Sequence, residues 1–241
     1  MKKSFLSTLL FLLISVLGYT QLLPSASTSP SKPSVLKNGT IYYVMSVEGD
    51  DPQAKMLNNS TFEYAFSGKD SKLAGLVMGG LFTGNMIVDG AANNGLALMS
   101  VMGQRKAIKM TAADISKAQS SASNMNDVKI TPISGTQKVA GYTCKKVMIT
   151  DPKNPNTQTV VYVCNSIVPE SGGMVDEMMK KLNGFPLGFE IKTNGSKVKI
   201  MASEVSTKLL KKADFKQVIP EGYEETTMEK LREQFGGTLG E

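Results

Sequence analysis

The chain predicts a mainly β (α+β) domain behind an export signal. Three observations lead there. Segments dense in β-branched and aromatic residues recur, beginning with Ile41-Tyr42-Tyr43-Val44. Turn-forming pairs such as Asp89-Gly90 and Asn94-Gly95 punctuate them. Only one segment, 172–183, has a clear helical period.

The export signal comes first. Lys2 and Lys3 precede an apolar run over 5–17, and Gly18-Tyr19-Thr20-Gln21 supplies small residues for cleavage after Thr20. This order predicts a secretory signal peptide at 1–20. The run is shorter than the roughly 20 residues a membrane-spanning helix needs. An uncleaved N-terminal anchor is the alternative. The only cysteines are Cys144 and Cys164, so no cysteine stands at the new N-terminus to carry a lipid. The expectation is a released protein, periplasmic or else extracellular. Residues 21–35 are rich in Ser and Pro and predict an extended spacer. One β-rich domain is expected over 36–238.

Strands are predicted over 41–47 and 61–66, then as a meander of about four over 71–110, with turns at 79–80, 89–95 and 103–104. Between Leu73 and Gln104 the only charge is Asp89. A sheet with one wet face alternates apolar and polar residues, and this stretch does not. Either both of its faces are covered or one lines an apolar cavity. Thr111 and Asp114 form a candidate capping box for a helix over 111–123. Further strands are expected over 128–131, 136–139, 141–150 and 157–164. In the helix over 172–183, Met174, Val175, Met178, Met179 and Leu182 share one face, and Gly184 offers a stop. Leu187, Phe189 and Ile191 alternate with Gly188, Glu190 and Lys192, as in a half-buried strand. Asn194-Gly195 turns that strand into another over 197–205. A short helix over 227–235 closes the chain.

Composition narrows function. There is no histidine, which removes imidazole bases, Ser-His and Cys-His pairs and His-ligated metals. No catalytic residue, metal ligand or cofactor site is assigned. Arg105 and Arg232 are the only arginines. Nucleic-acid readers favour arginine forks, so nucleic-acid binding is not expected. No transmembrane span is expected in the mature chain. Ser29-Pro-Ser-Lys32 and Ser34-Val-Leu-Lys37 match SxxK by chance, because no KTG or SDN partner exists. Asn38, Asn58, Asn59 and Asn194 head Asn-x-Ser/Thr sequons. The pairs Asp50-Asp51 and Glu224-Glu225 read as solvated surface.

The turn chemistry of 151–156 lies midway between Cys144 and Cys164. A symmetric hairpin places the two cysteines opposite each other, within disulfide range. A Cys144–Cys164 disulfide is therefore expected in an oxidising compartment. Two free buried thiols, or a register one residue off, are the alternatives.

Several segments together resemble a known family. They are 85–110, Gly141-Tyr142-Thr143-Cys144-Lys145-Lys146, Gly184-Phe185-Pro186-Leu187, Ile219-Pro220-Glu221-Gly222-Tyr223 and Phe235-Gly236-Gly237. In consistent order, they resemble the secreted bacterial family labelled domain of unknown function 4412. The resemblance implies a LolA-like (lipoprotein-carrier-like) fold: a curved antiparallel sheet or incomplete β-barrel packed on a few short helices around an apolar cavity. Residues 73–84 depart from it, with Gly, Leu and Met where charges are expected on one strand face.

Taken together, these readings point to a non-catalytic protein that binds a hydrophobic ligand: a lipid, an acyl chain or a lipoprotein. The expected lining is Leu76, Met78, Met86, Val88 and Leu98 from the strands, with Met174, Met178 and Phe185 closing it. The alternative is a structural or protein-interaction module of the envelope in which the same side chains fill a core.

Overall fold

The protein is described by a computed structural model covering residues 35–116, 128–152, 154, 157–170, 176–193 and 195–231. The expected signal peptide, nearly all of the spacer, Met174 and Asn194 lie outside these residues. Twelve strands form one sheet. They are β1 (Asn38–Gly49), β2 (Thr61–Ser67), β3 (Asp70–Val77), β4 (Phe82–Asp89), β5 (Asn94–Val101), β6 (Gln104–Met110), β7 (Lys129–Val139), β8 (Tyr142–Thr150), β9 (Gln158–Cys164), β10 (Phe185–Thr193), β11 (Ser196–Ser206) and β12 (Glu224–Glu225). Their order is β12-β6-β5-β4-β3-β2-β1-β11-β10-β9-β8-β7. Every pairing is antiparallel except β12 with β6. Short helices accompany the sheet, among them α1 (Pro52–Lys55) and α2 (Asp176–Leu182).

This is the mainly β, unclosed architecture expected from the sequence, and each predicted strand has a counterpart. The meander over 71–110 is β3 to β6, hairpin by hairpin. The two strands expected over 128–139 are one, β7, irregular between Ile133 and Thr136. Thr111 and Asp114 do cap each other: Thr111 N–H donates to Asp114 Oδ2 at 2.8 Å and Asp114 N–H to Thr111 Oγ1 at 3.3 Å. At the end of α2 it is Asn183, at φ 53°, that takes the left-handed position. Gly184 follows, its N–H donating to the Met179 carbonyl at 3.1 Å, as in a Schellman stop. Gly184 itself has φ 145°, and a Cβ there would lie 2.8 Å from Val163 Cγ1.

The sheet curls. Along β1 the alternation is clean: Ile41, Tyr43, Met45 and Val47 are buried on the inner face. Opposite them on β2, Phe62, Tyr64 and Phe66 point the same way. Phe185 begins β10, three strands from β2. In a flat sheet that separation is about 14 Å. Yet the Phe185 ring centroid lies 5.8 Å from Tyr64 and 6.3 Å from Phe66, which stack on each other at 5.7 Å. The Tyr43 hydroxyl donates to the Pro186 carbonyl across the same hollow. One core follows, shared by β1, β2, the end of β3, β7 to β11 and Leu182 of α2.

After β11 the chain becomes a strap. Residues 207–223 cross the outer face of the β1–β6 half. Asn38 Nδ2 and Oδ1 hold the Leu210 backbone, Phe215 packs on Ala65 and Ile87, and Lys212 bridges Asp70 and Asp89. Ile219 and Tyr223 then cover Leu96, Leu98 and Ala107. Glu224 and Glu225 are exposed, as expected of solvated surface. They form β12 on the β6 edge and pair with Lys106 and Lys109. Past that edge, Met228 and Leu231 reach the inner face against Val88, Ile108, Met110 and Ile115.

The aromatic closure yields a prediction. Phe185→Ala should lower unfolding free energy by about 3–5 kcal/mol, measured by chemical denaturation. A loss under about 1 kcal/mol would show that the rings do not hold the curl.

Candidate ligand-binding face

The strand registers sort the expected lining residues by face. On the inner face, Tyr64 of β2 pairs with Leu73, Leu73 with Met86, and Met86 with Ala97. Met86 and Val88 therefore share the concave side with the main core. Val88 is buried in a second cluster there, and Met86 packs against it. Met78, just past β3, and Met178 of α2 pack on the main core. Phe185 is fully buried within it. Leu98 faces the other way, under Ile219 and Tyr223. Leu76 is also on the outer face and is 43 % exposed. The eight residues do not line one space: Leu76 and Leu98 are separated by the sheet from the rest, and Met174 lies outside the described residues.

Both faces of the charge-poor strands are thus covered over much of their length. The strap covers the outer side, and the second cluster covers one end of the inner side. Among the described residues, a less filled strip lies between that cluster and the main core. Its floor is the row Phe62–Gly75–Gly84–Met99–Lys106, running across β2 to β6. Phe82, Met86 and Met99 around it are only half-buried. A Cβ built on Gly84 meets no atom of the described residues within 4 Å. Gly75 and Gly84 pair side by side in that floor. The glycines were visible in the sequence, but only the register shows them side by side.

The row has one charged end. Lys106 alternates with the inward Ile108 and Met110, so it faces the same side. Its side chain is 12 % exposed, and Nζ lies 2.6 Å from Glu224 Oε2. The outer face carries its charges elsewhere: Tyr162 donates to Glu190 at 2.6 Å, Glu190 pairs with Lys197, and Lys199 pairs with Glu48. Lys197 and Tyr162 hold the Glu190 carboxyl below its ordinary range despite burial.

One carboxylate lacks such support. Glu204 is buried on the outer face beside Tyr42, and neither oxygen has a hydrogen-bond partner. Burial pushes its pKa above the ordinary 4.5. The folded state thus favours the protonated form, and this group's contribution to stability falls as pH rises above about 4.5. Glu204→Gln should therefore raise the melting temperature at pH 7 and leave it unchanged near pH 3. An equal shift at both values would contradict the assignment.

The cysteines correct an expectation. The β8–β9 register, Lys145 with Val163, does carry Cys144 opposite Cys164. Both are nevertheless free thiols, not a disulfide. Each sulfur engages its own strand's backbone: Cys144 Sγ lies 3.7 Å from the Tyr142 carbonyl, and Cys164 Sγ accepts from Ser166 N–H at 3.4 Å. The neighbouring thiol and burial push Cys144 up, whereas Cys164 is lowered, chiefly by Cys144 beside it. A thiol reagent should label neither cysteine in the native protein and both in denaturant without reductant. No labelling in denaturant would show an oxidised pair.

Among the described residues, no three Cys, Asp or Glu side chains group as metal ligands. No described helix is long and apolar enough to cross a membrane.

No protein-family model matches the chain, and no curated protein matches it in sequence. Solved structures show likeness of fold. The chain is similar to PNGF-II at 13 % identity, over 82 % of this chain and 32 % of that one, with a TM-score of 0.43. It is similar to MucB at 12 % identity, over 76 % of this chain and 58 % of that one, with a TM-score of 0.38. The Mycobacterium tuberculosis lipoprotein LppX shares 10 % identity over 71 % of this chain and 88 % of its own, with a TM-score of 0.37. The chain thus spans about a third of PNGF-II and 58 % of MucB. At these values the likeness says nothing of activity.

Proposed function

We propose that this is an exported, non-catalytic protein that holds an apolar chain against the inner face of its curved sheet. The observation that carries the reading is the Gly75–Gly84 pair on the inner face, flanked by Phe82, Met86 and Met99, with no described atom within 4 Å of a Cβ placed on Gly84. Two glycines side by side leave room at the centre of a sheet whose neighbouring positions are large. Natural sheets close such space with side chains, because dispersion contacts are lost across a void. An acyl chain or lipid fits a shallow apolar floor, and Lys106 at the end of the row suits an acidic headgroup, with Glu224 as the partner it releases. The periplasm is the proposed address, with the extracellular medium as the alternative. Membership of the family labelled domain of unknown function 4412 belongs to this reading, on the segments Gly141 to Lys146 and Gly184 to Leu187.

A second reading is favoured by the double cover of the charge-poor strands. Strap and second cluster consume much of their apolar surface. On that reading the protein is an interaction module of the envelope, and the glycine pair is a packing irregularity.

A fluorescent fatty-acid analogue separates the two. The mature protein should bind it, and Gly84→Trp should weaken binding at least about tenfold without loss of melting temperature. Lys106→Met should weaken binding of a fatty acid but not of the matching alcohol. No binding by the wild-type protein, or equal binding by Gly84→Trp, would leave the interaction module as the function.

A further inference from the structure

We propose that Glu204 and Tyr42 form a second binding site, on the outer face, for an organic ammonium group. Glu204 is 5 % exposed, and both of its oxygens are shielded from water with no donor in reach. Buried carboxylates without donors are rare because desolvation is not repaid. The backbone has been arranged to put it there. The β1–β11 register slips between Tyr42 and Tyr43, so that Ser203 is the extra residue and Glu204 stands opposite Tyr42. Ser203 Oγ donates to the Tyr42 carbonyl at 3.0 Å and secures this β-bulge. Bulges of this kind re-aim side chains beside binding sites.

The neighbours define the chemistry. Tyr42 presents a half-buried ring between Glu204 of β11 and Glu63 of β2. Glu63 is already paired, with Lys72 at 3.2 Å. Lys72 lies on β3, on the far side of Glu63, and forms no pair with Glu204. A carboxylate beside an aromatic face complements an alkylammonium: the oxygens accept its N–H groups and the ring takes its charge and methylenes. The same ammonium could belong to a free amine or to a lysine side chain of a peptide.

Calorimetric titration of the mature protein with cadaverine, and separately with an uncharged-ended Gly-Lys-Gly peptide, tests this. The wild type should bind at least one of them. Glu204→Gln should weaken that binding at least about tenfold. This variant removes a buried charge, so folding is not at risk. Tyr42→Phe, which keeps the ring, should bind as the wild type does, and Tyr42→Leu should bind more weakly. Cadaverine alone binding points to a free amine, and peptide alone to a lysine side chain; both support the site. No heat with either probe at about 10 mM, or unchanged affinity in Glu204→Gln, overturns it. Fatty-acid binding is not involved in either outcome, so the two sites stand or fall separately.

Discussion

The structure depends on one closure: the ring of Phe185 meeting Tyr64 and Phe66 across the inner face. Strands β2 and β10 are not neighbours, and nothing in their hydrogen-bond ladders brings them together. Large aromatic side chains do so by filling the space over β1 and β11, which a flat sheet would leave open. Each ring buries a large apolar area, and the hydrophobic gain grows as the sheet bends. Curvature is what separates an inner from an outer face here. The main core, the glycine pair and the outer carboxylate all take their positions from it.

A sheet bent this way has two distinct covering problems. In the β7–β11 half, the core itself, with α2, covers the inner side. In the β1–β6 half, the C-terminal strap covers the outer side, then turns the β6 edge and supplies Met228 and Leu231 to the inner side. β12 also protects that edge, where unpaired backbone groups would invite another chain. Among the described residues, the cover between the two inner clusters is thinnest at Gly84.

Much of the fold was legible because strands of this chain keep a period of two and end at recognisable turns. Asp89-Gly90 and Asn94-Gly95 did mark the hairpin between β4 and β5. The strap was not legible. Residues 207–223 have no period, and their apolar residues, Leu210, Phe215, Ile219 and Tyr223, are spaced to meet different strands rather than one face. The site was half legible for a related reason. A charge-poor run tells that both faces are dry, but assigning Leu98 outward and Met86 inward requires the register. Glu204 carries no sequence signal, because its placement comes from a bulge. The cysteine spacing did locate the facing positions. It could not report that each sulfur would turn to its own backbone.

The central claim is that the curved sheet holds an apolar guest on its glycine floor. Native mass spectrometry of the protein, purified without detergent, tests it most directly. A mass above that of the bare mature chain, lost on organic extraction and identified in the extract as a lipid or acyl chain, is the predicted result. A single species at the bare mass, unchanged after incubation with fatty acid, would contradict it.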